Sequence, residues 1–212
     1  MKLGGPVFKD YDSPQSWVKA VKESGYRAAN CPLDNEAGPE EINAYSRAAE
    51  KAGIVIAECG IWNNPLSRDE GEREEAVAEC KKTLELADNI GAKCCVNIAG
   101  SRGEDWDGPH PDNISEATFT KIVEITREII DEVKPSRTFY TLEPMPWVFP
   151  DSPDSYLDLV NAIDREAFAV HLDPVNLINS PRKYYNNADF LRECFDKLGH
   201  YIKSCHAKDS LL

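Results

Sequence analysis

No stretch of this 212-residue chain is apolar over the length of a bilayer. No apolar core of signal-peptide length follows Met1 either, and the opening MKLGGPVFKDYD reads instead as a first strand. A membrane partner is therefore not expected. Cysteine pairs in C-x-x-C spacing are absent, and the total is an odd seven, which points to reduced core residues in a cytoplasmic protein. Basic charge is scarce: 24 Lys and Arg stand against 37 Asp and Glu, a net charge of −13. Such a field repels a phosphate backbone, and no basic stripe with interleaved aromatics offsets it, so nucleic acid is not an expected partner. Also missing is a G-x-G-x-x-G after any strand-like run, which removes support for a dinucleotide site.

What is present is alternation. Apolar, strand-like runs occur at 2–8, 27–32, 54–61, 93–99, 138–145, 168–175 and 201–207. Between them lie amphipathic stretches of helical period at 14–24, 39–52, 72–90, 116–133, 153–163 and 188–198. Ser13-Pro14, Gly38-Pro39 and Ser152-Pro153 read as helix starts, with proline in the first turn. Gly25, Gly53, Gly91 and Gly199 each follow a helix, where a left-handed cap suits glycine. The acidic run Asp69–Glu72 reads as a solvated helix start. Regular βα alternation predicts a parallel sheet with helices outside it. Chemically capable residues at the C-terminal ends of several strands favour a barrel over a doubly wound sheet. The expectation is one α/β domain over residues 1–212, a (β/α)8 barrel of which seven strands are visible and the eighth is missing, as in a C-terminal truncation.

Three strand ends carry most of the chemistry. Glu143 closes the run Phe139–Leu142, Asp173 closes Phe168–Leu172, and His206 closes the last run; they are spaced by 30 and 33 residues, about one strand–helix repeat. A carboxylate at the end of a buried strand is costly unless a cation or hydrogen bonds compensate it. Each residue alone has an ordinary reading, as an ion pair for Glu143 or an Asp-Pro turn for Asp173. Together, one repeat apart, they could converge on one divalent cation. An imidazole beside carboxylates suits Mn²⁺, Co²⁺, Fe²⁺ or Zn²⁺, and carboxylates alone suit Mg²⁺ as well. Period-2 alternation puts His171 on the face of Asp173, either as a core histidine or as an outer partner of the site. By the same alternation Ser204, His206 and Lys208 share a face, and Lys208 meets either a substrate oxygen or an acid. Loops on the same side carry Trp62, Trp106, His110, Trp147, Asn176 and Arg182. Tryptophans there either wall a sugar face or staple the loops.

The chain resembles the xylose isomerase-like TIM-barrel superfamily, in its sugar phosphate isomerase/epimerase branch. The resemblance runs from Lys2 to Asp209 and is carried by Leu142-Glu143-Pro144, His171 to Asn176 and His206-Ala207-Lys208-Asp209. It implies that Glu143, Asp173 and His206 are three of four metal ligands on strands five to seven, with Mn²⁺ favoured as the single divalent ion. The fourth, a second glutamate on strand eight that also transfers a proton, has no counterpart here. Asn176 stands where family epimerases often carry a histidine. The endonuclease IV type of the superfamily fits poorly, because the loops after strands three and four hold no histidine before His110.

The implied function is a metal-dependent isomerase or epimerase of a small sugar, sugar phosphate or polyol, working through a metal-stabilised ene-diolate. Glu143 is the candidate catalytic group, and Trp62, Trp106, His110, Asn176, Arg182 and Lys208 are candidate substrate contacts. An inosose-dehydratase-like lyase and a truncated, non-catalytic polyol-binding protein are the alternatives. A homo-oligomer is left open.

Overall fold

A computed structural model describes residues 1–209. Seven short strands form one parallel sheet in strict chain order. They are β1 (Gly4–Gly5), β2 (Ala28–Asn30), β3 (Val55–Gly60), β4 (Cys94–Asn97), β5 (Tyr140–Leu142), β6 (Phe168–Leu172) and β7 (Ile202–Cys205). Helices α1 (Pro14–Glu23), α2 (Pro39–Ala52), α3 (Glu70–Ile90), α4 (Glu116–Val133), α5 (Pro153–Ile163), α6 (Pro181–Tyr185) and α7 (Asn187–Leu198) connect them. Sequential parallel order with a helix at every crossover is the winding of a (β/α)8 barrel. Among the described residues β1 and β7 each have one sheet neighbour, so the barrel is incomplete.

The helices begin where their caps dictate. Ser13 and Ser152 each accept a hydrogen bond from the backbone three residues on, and Ser16 and Ser155 return one, closing two capping boxes ahead of a first-turn proline. Asp69 caps α3 through the Glu72 amide, which accounts for the acidic run there. Gly25, Gly53 and Gly91 have φ of 76°, 68° and 81° as their positions require. Gly199 does not: its φ is −51°, because its N–H reaches back to the Phe195 carbonyl and continues the last helical turn. Left-handed ends of α4 and α5 fall instead on Lys134 and Asp164, residues with no glycine signal. The short α6 and the 3₁₀ turns at Pro111–Ile114 and Val175–Leu177 lie in loops that showed no helical period.

Alternation divides the strands into two faces. Cys95, Tyr140, Leu142, Val170 and Leu172 join Leu84, Ile129, Tyr156 and Leu159 in the continuous core between sheet and helices. The opposite face looks into the barrel and is markedly polar: Glu58, Thr141, His171 and, at the strand ends, Glu143 and Asp173 are all buried. One residue of α5 sets the spacing there. The Tyr156 hydroxyl meets the amides of Leu142 and His171, both at 3.2 Å, and the carbonyls of Leu142 and Ala169 at 2.6 and 3.2 Å. It bridges β5 and β6 just before Glu143 and Asp173 leave them. All seven cysteines are free, five of them buried.

Candidate metal centre

The strand ends of β5, β6 and β7 deliver Glu143, Asp173 and His206 to one point. His206 Nδ1 lies 3.3 Å from Glu143 Oε2 and 3.6 Å from Asp173 Oδ2. Two donors about 2.1 Å from a common ion, at an angle between square and tetrahedral, lie about 3.0–3.4 Å apart, so the triad has nearly the spacing a cation needs. None of these three atoms makes a hydrogen bond although all are buried. Asp173 Oδ2 does meet the Lys208 ammonium as an ion pair, without hydrogen-bonding geometry. Buried polar atoms are normally satisfied, and three unsatisfied ones facing each other form a cradle for a cation. The mixture of carboxylate oxygens and an imidazole nitrogen fits a divalent first-row ion.

Each remaining lone pair is tied down. Asn176 Nδ2 donates to Glu143 Oε1 at 2.8 Å, and Lys208 Nζ stands 3.5 Å from the same oxygen. The Val175 amide donates to Asp173 Oδ1 at 3.2 Å, as an Asx turn after the strand. On its far side His206 Nε2 lies 3.1 Å from Oε1 of Glu58, a buried residue of β3. His171 sits beneath, fully buried, its ring 4.2 Å from that of His206 and nearly perpendicular to it. Its Nδ1 pairs with Ser204 Oγ at 2.5 Å and lies 3.6 Å from Glu58; its Nε2 lies 3.7 Å from Glu143.

The two imidazoles are driven in opposite directions. Burial pushes His171 down to about 4, against the pull of the surrounding carboxylates, so it is neutral at physiological pH. The carboxylates of Asp173, Glu143 and Glu58 close around its ring raise His206 to about 11 despite its partial burial. For Asp173 burial favours the acid, but His206 and Lys208 outweigh it and bring the carboxyl to about 2. Glu58 is likewise resisted by burial and held below its ordinary value by His206, His171 and Lys208. In formal charge, three carboxylates face the His206 imidazolium and the Lys208 ammonium. A divalent ion replacing the proton on His206 Nδ1 would bring the cluster to neutrality.

A family model described as a xylose isomerase-like TIM barrel matches residues 18–211. The chain belongs to that family. Solved structures of similar fold include a xylose isomerase-like TIM barrel protein from Mycobacterium smegmatis in complex with magnesium, 18% identical over 93% of this chain and 68% of its own, with a TM-score of 0.64. D-psicose 3-epimerase from Clostridium cellulolyticum H10, with D-tagatose, is 16% identical over 93% of this chain and 71% of its own (TM-score 0.68). A "probable 3-DHS dehydratase" from Bacillus anthracis is 18% identical over 99% and 73% (TM-score 0.69). At such identities the likeness shows the fold. No curated protein matches the chain.

Within this xylose isomerase-like barrel the structure brings together Glu143, Asp173, His206, Asn176 and Lys208. It does not bring the other candidates into hydrogen-bond or ion-pair contact with them. His110 accepts the Asp112 amide at 3.2 Å and caps the 3₁₀ turn after β4. Arg182 borders an open groove with Asp154, Asp189 and Glu193. Trp62 and Trp106 stand half-exposed on the loops after β3 and β4. Arg102, on the loop after β4, is committed to the loop after β3, its guanidinium donating to the Leu66 carbonyl at 2.7 Å. The residue of this cluster that strand-end reasoning missed is Glu58. Its signal was a lone acid inside the apolar run Val55–Gly60, the same signal that marked Glu143.

Proposed function

We propose that this chain is a divalent-cation-dependent isomerase or epimerase of a small sugar, sugar acid or polyol. The observation that carries the reading is the trio of buried, hydrogen-bond-free donors, Glu143 Oε2, Asp173 Oδ2 and His206 Nδ1, that would hold the ion. A divalent ion held there, Mn²⁺ in our assignment, supplies polarisation of a substrate carbonyl and acidifies the neighbouring C–H.

The chain's own groups do the rest. The two oxygens of Glu143 face different ways: Oε2 toward the cradle, Oε1 toward Asn176 and Lys208. Oε1 is therefore the atom that would take a proton from carbon. The Asn176 amide orients that carboxylate and, having no titratable proton near neutral pH, leaves the transfer to it. Lys208, on the open side and half-exposed, is placed to hold a substrate oxygen. Trp62, Trp106 and Trp147 present exposed rings on successive loops, and Trp147 Nε1 donates to the Asp107 carbonyl at 2.7 Å, linking two of them. Rings fixed in this way suit an apolar sugar face.

One observation favours a second reading, a dehydratase. A carboxylate oxygen and a lysine ammonium lie 3.5 Å apart on one side of the cluster. That pairing suits removal of a C–H proton with departure of a β-hydroxyl, whereas epimerisation calls for groups on both faces of the substrate. The test is a panel of ketoses, aldoses and inososes offered to the Mn²⁺-loaded protein with products weighed by mass spectrometry. Products of unchanged mass support the isomerase or epimerase. Loss of water supports the dehydratase, and saturable binding of the panel with no product at any cation would leave a polyol-binding protein.

A further inference from the structure

Glu58 is a buried carboxylate, its side chain 6% exposed, on the strand that lies across the barrel from β7. A carboxylate so placed is expensive unless hydrogen-bonded. No lysine or arginine makes a hydrogen bond or ion pair with it among the described residues; its close partners are His206 Nε2 at 3.1 Å and His171 Nδ1 at 3.6 Å. The two nitrogens of His206 are thus unequal. Nε2 is engaged in a hydrogen bond with Glu58, while Nδ1 has none and faces Glu143 Oε2 and Asp173 Oδ2. A neutral imidazole has one N–H, and the geometry puts it on Nε2, leaving the Nδ1 lone pair aimed into the cradle.

We propose that Glu58 is the positioning residue of His206: it fixes the ring's tautomer and rotation so that Nδ1 is the nitrogen offered to the cation. This rests on the reading of the cradle as a cation site. A carboxylate on the outer nitrogen of a ligating histidine orients the ring and strengthens it as a donor. His171 braces the arrangement from below. Its ring packs edge-on against His206, and its own Nδ1 is anchored to Ser204, which in turn contacts Cys94 Sγ at 3.1 Å. The ring of His206 therefore has little room to turn over and present Nε2 instead. Glu58, His171 and His206 also form a triad whose donor atoms all lie within 4.8 Å of one another, so a second ion bound directly by Glu58 is the competing arrangement.

The experiment uses the full chain stripped of metal and titrated calorimetrically with Mn²⁺, as wild type, Glu58→Gln and Glu58→Ala. Wild type should bind one ion, and Glu58→Ala should bind about 10- to 100-fold more weakly. Glu58→Gln, which keeps an acceptor oxygen at the same place, should fall between them. Long-range ¹H–¹⁵N spectra of the Zn²⁺-loaded protein should show His206 bound through Nδ1 with a proton on Nε2, a pattern lost in Glu58→Ala. Unchanged affinity in Glu58→Ala, coordination through Nε2, or a second ion that disappears in Glu58→Gln would overturn the proposal. A wild type that binds no Mn²⁺ or Zn²⁺ removes the cation site itself, and Glu58 loses its role with it.

Discussion

At the scale of single residues the site depends on which proton sits where. In the metal-free protein His171 has a folded value of about 4, below its ordinary 6.5. The unfolded chain therefore takes up that proton first, and stability falls as pH drops from 6.5 toward 4. His206 runs the other way: with a folded value of about 11, its contribution is complete below 6.5 and is lost as pH rises through 11. Asp173, lowered to about 2, adds stability above 3.8 that disappears only in strong acid. Thermal unfolding in EDTA should accordingly be most resistant near pH 6.5 and weaken on both sides. Saturating Mn²⁺ should erase the alkaline decline, since Nδ1 then holds the ion in place of a proton. A melting temperature in EDTA that stays level from pH 5 to 9 would contradict these assignments. Glu143→Gln keeps the shape of the side chain but removes its ability to accept a proton, so turnover should drop about 10²- to 10⁴-fold in steady-state assays. Full activity in that variant with the ion still bound would take Glu143 out of proton transfer.

At the scale of elements, α5 matters more than its exposed position suggests. Its capping box fixes where the helix starts, and the start fixes where Tyr156 reaches between β5 and β6. Ser152→Ala should cost about 1 kcal/mol in chemical denaturation and leave the site intact. Tyr156→Phe leaves buried backbone groups of Leu142 and His171 short of a partner and should cost about 1–3 kcal/mol. It should also weaken cation binding, because the strands that carry Glu143 and Asp173 lose their bridge. Equal calorimetric affinity in Tyr156→Phe and wild type would show that the bridge serves stability alone. This is the scale on which the sequence was most legible. Proline, serine and aspartate at helix starts act through nearest neighbours, and their positions held to within two residues. The strand ends carrying Glu143, Asp173 and His206 could be seen because acids and imidazoles interrupt apolar runs. The position of Glu58 against His206 could not, since those residues are 148 apart and meet only across the barrel interior. Lys134 and Asp164 took left-handed caps with no glycine to mark them, and Gly199 instead continues the last turn through the Phe195 carbonyl.

At the scale of the whole molecule, order is graded across the sheet. Strands β4, β5 and β6 are buried throughout, β1 spans two residues, and β7 is only partly buried along its length. Amide hydrogen exchange should therefore be slowest in β4–β6 and fast in β1 and β7. His206 and Lys208 follow the less protected strand β7, so cation binding should slow exchange there more than in β4; uniform protection across the sheet would count against that coupling. The likeness to an epimerase and to a dehydratase is a likeness of fold, and the chemistry has to be read from the cluster. We propose that Glu143, Asp173 and His206 of that cluster hold one divalent ion. Calorimetric titration of metal-stripped wild type, Asp173→Asn and His206→Ala with Mn²⁺ tests it most directly. One ion should bind per wild-type chain, with affinity reduced at least about 100-fold in both variants, beyond what loss of an outer partner brings. A wild type without binding, or variants that bind as it does, would contradict it.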